Sequence, residues 1–167
     1  MSLRPLIRLI VAAPLVAACA APTPSPPAEP TRTPVQASPN AGLVELEGRM
    51  AAAATELGGI VRELGEASAG SPRELELVAG QLGSFAADEL AWVDDHAPDG
   101  CYEAVTASFR EALESVRASA AEFEDVAGAS PPPGDEAFEG AGAALAAGSQ
   151  GIEAARAAAL EARAACR

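Results

Sequence analysis

Few side chains in this sequence are able to do chemistry. There is one His (His96), one Trp (Trp92) and one Tyr (Tyr102), with three Cys and two Met, and every basic residue is Arg. Several combinations bear on function. Met50 with His96 would offer a thioether and an imidazole to a haem iron or a copper ion. Asp95-x-Ala97-x-Asp99-Gly100 sets carboxylates at alternate positions ahead of a glycine, as a calcium-binding loop does. Asp95 beside His96 would orient an imidazole for acid–base work. Cys101 and Cys166 would form a disulfide, a redox pair or part of a thiolate site.

Each chemical reading meets an objection within the sequence. A Met/His pair at one end of a bundle resembles the b-type cytochromes of the four-helix class. In that family the ligating His stands on the last helix, and here the last helical stretch has none. Met50 then reads as core, and His96 as a surface residue favoured by a helix C-terminus. Measured against an EF-hand loop, Ala97 at the third position and Thr106 at the twelfth replace required oxygen ligands. An acidic turn whose Asp99 caps the next helix is the simpler reading. For catalysis, His96 lacks an evident nucleophile: Ser108 is about three turns along the following helix. Adjacent helical residues such as Asp95 and His96 also point in different directions. No G-x-S-x-G, H-E-x-x-H, P-loop or G-x-G-x-x-G segment occurs. A thiolate metal site needs further ligands, and a redox pair needs C-x-x-C spacing. No catalytic residue, cofactor or metal ligand is expected.

The elements that must position these residues are helical. β-branched and aromatic residues are sparse, and no segment alternates with period two. Four stretches are predicted as helices, at about 43–69, 72–96, 99–127 and 135–166. In the first, Leu43, Leu46, Met50, Ala53, Leu57, Ile60 and Leu64 fall at alternating spacings of three and four, an a/d seam. The second opens at Ser71-Pro72-Arg73-Glu74, a capping-box pattern with Pro at the first helical position. Leu75, Val78, Leu82, Phe85, Leu90 and Val93 make its stripe. The third buries Tyr102, Val105, Phe109, Ala112, Val116, Phe123 and Val126, and it is ended by Gly128 and the run Pro131-Pro132-Pro133-Gly134. The fourth opens at Asp135 as N-cap, with Phe138, Leu145, Ile152, Ala159 and Cys166 recurring every seven residues. Short connections make neighbours antiparallel, so an up-down-up-down four-helix bundle is expected over 43–167.

Two features sit awkwardly in that scheme. The first and fourth helices carry Gly48, Gly58, Gly59, Gly65, Gly140, Gly142, Gly148 and Gly151, each costing about 1 kcal/mol relative to Ala. Close helix approach and compositional drift explain them equally well. Glu89 stands where the heptad of the second helix expects an apolar side chain. If buried it would need a partner at its depth, Arg49 or Arg163; a small register shift, with Leu90 inward and Glu89 in water, is the simpler reading. The topology gathers Met50, Trp92, Asp94, Asp95, His96, Asp99, Cys101, Tyr102 and Cys166 at one end. Of these, Met50, Trp92, Asp95, His96 and Tyr102 form the candidate binding end.

The N-terminus supplies an address. Arg4 and Arg8 precede an uncharged, mostly apolar run from Leu9 to Ala18, too short to span a bilayer, which needs about 20 residues. The run ends in Val16-Ala17-Ala18-Cys19. This resembles the lipobox of bacterial lipoproteins, and the resemblance extends over the signal region only. It implies a signal peptide at 1–18, cleavage before Cys19, and lipidation of that thiol as a membrane anchor. Ordinary cleavage after Ala20 or Ala21 is the alternative. Residues 19–42 follow as a linker, with seven prolines between Ala20 and Asn40. That tether has little to bury and reaches at most about 65 Å at about 3.1 Å per residue.

Cleavage before Cys19 removes two arginines and no acid, taking the net charge from −13 to −15. Nucleic acid and anionic lipid surfaces are therefore not expected as partners. Once exported, Cys101 and Cys166 enter a compartment that permits disulfides, and an antiparallel hairpin of the last two helices brings them together. A bridge closing roughly 65 residues is worth on the order of 4 kcal/mol. The expectation is a non-catalytic helical module, lipid-anchored outside the cell membrane, or periplasmic in a Gram-negative source. It would bind an unidentified protein or envelope component. The alternative is a carrier of a small ligand such as a lipid, haem or metal.

Overall fold

The computed structural model describes residues 41–96, 100–130 and 134–166. Within them the expected periods become α1 (Ala41–Ser68), α2 (Pro72–His96), a 3-10 turn (Gly100–Tyr102), α3 (Glu103–Gly128) and α4 (Asp135–Ala165). Consecutive helices pack on one another and α1 closes back on α4, most extensively between α3 and α4 and least along α1. The all-α antiparallel four-helix bundle is thus observed. The expected signal segment, Cys19, the expected tether up to residue 40 and Asp99 lie outside the described residues. No described helix is long and apolar enough to cross a membrane.

The heptad seams fill the core. Leu43, Leu46, Met50, Ala53, Leu57 and Leu64 of α1 are buried, with Ile60 partly so. Leu82 and Val93 of α2, Phe109, Leu113 and Val116 of α3, and Ile152 of α4 meet them. At the start of α2 the capping box forms in both directions. The Ser71 N–H donates to Glu74 Oε2 at 2.7 Å, and the Glu74 N–H donates to Ser71 Oγ at 3.3 Å. The Ser71 backbone N–H, then its hydroxyl, hold the Glu74 carboxyl below the usual carboxylate range.

Two helix starts differ from expectation. The third helix does not begin at 99. Gly100 has φ +73°, a left-handed conformation no α-helix accommodates. The chain turns there, passes Cys101 and Tyr102 in a 3-10 turn, and enters α3 at Glu103. Cys101 is accordingly exposed and precedes the helix instead of lying on its apolar face. The N-cap of α4 is Gly134; Asp135 is the first helical residue, where with Glu136 it faces the positive end of the helix dipole.

The glycines divide by seam. A Cβ built on Gly148 would lie 2.6 Å from Val116 Cγ2 and 3.0 Å from the Ala112 carbonyl oxygen. One built on Gly151 would lie 2.8 Å from Ala112 Cβ. Here α3 and α4 touch backbone to backbone, and the Ser119 hydroxyl donates across to the Ala141 carbonyl at 2.7 Å. Gly48, Gly58, Gly59 and Gly65 of α1, and Gly140 and Gly142 of α4, face open space.

Candidate functional site

The 3-10 turn brings Cys101 to the end of α4, where it is joined to Cys166 with 6.1 Å between Cα atoms. Among the described residues, three ion pairs that cross between helices lie in this half of the bundle. Arg163 Nη1 donates to Glu47 Oε2 at 3.2 Å between α4 and α1. Arg110 pairs with Asp94 between α3 and α2. Arg49 grips Glu89 from α1 to α2 with two contacts, Nη2 to Oε1 at 2.7 Å and Nε to Oε2 at 2.8 Å. The other oxygen of Glu47, Oε1, is buried with no hydrogen-bond partner among the described residues.

Glu89 corrects the sequence reading. It is only 3% exposed and Leu90 only 7%, so the buried stripe of α2 is broad enough to take both. No register shift turns Glu89 to water. Burial pushes its carboxyl above the usual range, Arg49 opposes the shift, and the carboxylates of Glu56 and Asp88 add to it.

Arg49 also lies over the Trp92 ring at 5.5 Å from its centroid. The His96 imidazole stacks on the same indole, centroids 4.7 Å apart and planes within 4°. His96 Nδ1 donates to the Trp92 carbonyl at 3.0 Å. Glu89, Trp92 and His96 stand at i, i+3 and i+7 on one stripe of α2. Of the residues gathered at this end, the structure therefore brings Trp92 to His96 and Cys101 to Cys166. Met50 is fully buried and lines the seam between α1 and α4, whereas His96 is exposed at the end of α2. Tyr102 is core and Asp95 is exposed. The sequence had named Arg49 as a possible partner of Glu89, but its place over Trp92 depends on helix pairing and left no local signal.

The remaining surface features are grooves, one of 720 Å³ between α2 and α3, bordered by Arg73, Glu76, Leu77 and Glu124, and others beside α1. Near the disulfide, Glu47, Met50, Glu153, Arg156 and Leu160 line an opening of 290 Å³ between α1 and α4. Farther along the same seam, Val61, Leu64, Gly65, Phe138, Gly142 and Leu145 line an uncharged opening of 340 Å³. Between α1 and α2, Glu56, Glu63 and Asp88 border an opening of 670 Å³ with Ile60, Leu77 and Phe85. Leu77 and Leu160 are 63% and 64% exposed.

Chemically, the described residues offer an aromatic–cation stack, a buried ion pair and open apolar grooves. Among them, no group of three or more His, Cys, Asp or Glu side chains is placed to hold a metal ion. Compared with known proteins, the chain matches no family model, no curated protein and no solved structure.

Proposed function

We propose that this protein is a non-catalytic, membrane-tethered helical module of the cell envelope that binds a protein or another envelope component. One observation carries the reading. The seam between α3 and α4 is cross-linked and closely packed, while the seams beside α1 keep openings with large exposed apolar side chains, Leu77 and Leu160, at their edges. Concave openings lined by apolar side chains with a few polar groups at the border are what binding sites look like. The lipobox-like Val16-Ala17-Ala18-Cys19 supports the address. Two experiments test the reading. The intact mass of protein taken from its own membrane should start at acylated Cys19; a mass starting at Ala20 or Ala21 without lipid removes the anchor. Photo-crosslinkers at Val61, Leu77 and Leu160 should yield a discrete adduct in cells. Smears of equal intensity from every position would overturn the binding role.

A second reading, a carrier of a small apolar ligand, is favoured by the uncharged opening between α1 and α4. Gly65 and Gly142 line it, and neither position is crowded. Native extraction followed by mass spectrometry should then recover a stoichiometric lipid-like molecule that Gly142→Leu expels. Recovery of protein alone rejects the carrier.

A further inference from the structure

The seam between α1 and α2 differs from the seam between α1 and α4. On α2, Leu77, Gln81, Ser84 and Asp88 line the groove at spacings of four, three and four. That wall therefore runs about three turns, roughly 16 Å. Opposite it, Glu56, Ile60 and Glu63 recur along one face of α1. The apolar part consists of Ile60, buried Phe85 and exposed Leu77. Gly80 borders both this groove and an adjoining opening toward α3, and a Cβ there would meet only Glu124 Oε1 of α3, at 3.9 Å.

Charge separates this groove from its neighbours. Three carboxylates border it and no arginine lines it. Arg62, next to Glu63 in the chain, does not line it, and Arg49, two turns before Glu56 on α1, is already held by Glu89 and Trp92. Between α1 and α4, one opening is uncharged and in the other Glu153 is matched by Arg156 and Glu47 by Arg163; between α2 and α3, the adjoining opening has Arg73 beside Glu76 and Glu124.

We infer that the α1–α2 groove docks an amphipathic helical segment of a partner protein, with leucine-like side chains on its inner face and arginine or lysine on its flanks. A helix lying in a groove anchors through apolar residues at i, i+3 or i+4 and i+7, and three turns accommodate that set. Carboxylates on both walls attract cationic flanks and repel acidic ones, which selects among helices of equal apolarity. The inference rests on the binding role proposed above and names the partner's chemistry.

The test uses calorimetry on the full chain with a synthetic leucine/arginine peptide patterned as an amphipathic helix. A scrambled peptide of the same composition and a sign-reversed leucine/glutamate peptide serve as comparisons. The patterned peptide should bind, and more weakly as salt rises. Leu77→Ser should weaken it about tenfold, as should the combined Glu56→Gln, Glu63→Gln and Asp88→Asn variant, about 1.4 kcal/mol each. Ala118→Ser on the exposed face of α3 should leave it unchanged. All these sites are solvent-facing or half-buried, and circular dichroism confirms that each variant keeps its helix. Equal binding of the scrambled peptide, or an unchanged Kd in both groove variants, overturns the inference. If the peptide fails while a crosslinker at Val61 or Leu160 still gives a discrete adduct, the binding role stands and this groove is not its site. If both fail, the binding role falls as well.

Discussion

The two seams of α4 are made from the same small residues and behave oppositely. Against α3, Gly148 and Gly151 admit Ala112 and Val116 to distances no Cβ would allow, and a disulfide and the Ser119 hydroxyl close the rest. Against α1, Gly142 faces Gly65 across an opening, and neither glycine touches anything a Cβ would displace. A glycine in a helix costs backbone entropy wherever it stands. On one seam that cost is offset by close packing; on the other it only leaves room. Composition alone does not tell a seam that is closed from one that is open.

The largest expected effect comes from removing the staple of the closed seam. Replacing Cys101 and Cys166 together by Ser should cost on the order of 4 kcal/mol, read as a shift in urea midpoint. A shift below about 1 kcal/mol would mean that packing alone holds α3 to α4. Next comes the ion pair on α1. Arg49→Ala should cost about 2–3 kcal/mol because it strands a buried carboxylate. The cost stays below that of a fully buried pair because Arg49 is 35% exposed. Glu89→Leu should cost clearly less, since the freed guanidinium reaches water. Equal costs for the two would contradict the burial of Glu89.

Smaller effects set the seams directly against each other. Gly148→Ala should destabilise by about 1–2 kcal/mol, overpacking against backbone outweighing the gain in helix propensity. Gly142→Ala, on the open seam, should stabilise by about 0.5–1 kcal/mol. The same sign at both positions would erase the distinction. The smallest effect is a slope. Because the folded-state pKa of Glu89 is raised, its contribution is fully present below the unfolded carboxylate pKa. It is lost as pH rises through the higher folded value. The melting temperature of the native chain relative to Glu89→Gln should therefore climb between pH 7 and about pH 4.5. A flat difference would place Glu89 in water.

Much of the fold was legible because its signals are local. The seam from Leu43 to Leu64, the Ser71–Glu74 box and the seven-residue recurrence from Phe138 to Ile152 each report a helix without knowledge of its neighbours. The Cys101–Cys166 pairing needed only chain order and antiparallel packing. Glu89 was misread because a heptad describes a narrow stripe, and α2, packed on both α1 and α3, buries a wide one. The start of α3 was misplaced because Gly100 takes a left-handed conformation that its type permits but does not demand. Gly148 and Gly58 look alike in sequence, and only the partner helix separates them. At the candidate site, the Trp92–His96 spacing of four was visible, whereas the grooves exist only between helices.

The lone indole has an optical consequence. Trp92 is the single strong fluorophore of the chain. It lies under a guanidinium from α1 and against an imidazole from its own helix. Any sliding or lifting of α1 relative to α2 alters both the polarity and the quenching around that ring. Its emission colour and lifetime thus give a label-free readout of whether α1 is seated in the purified protein.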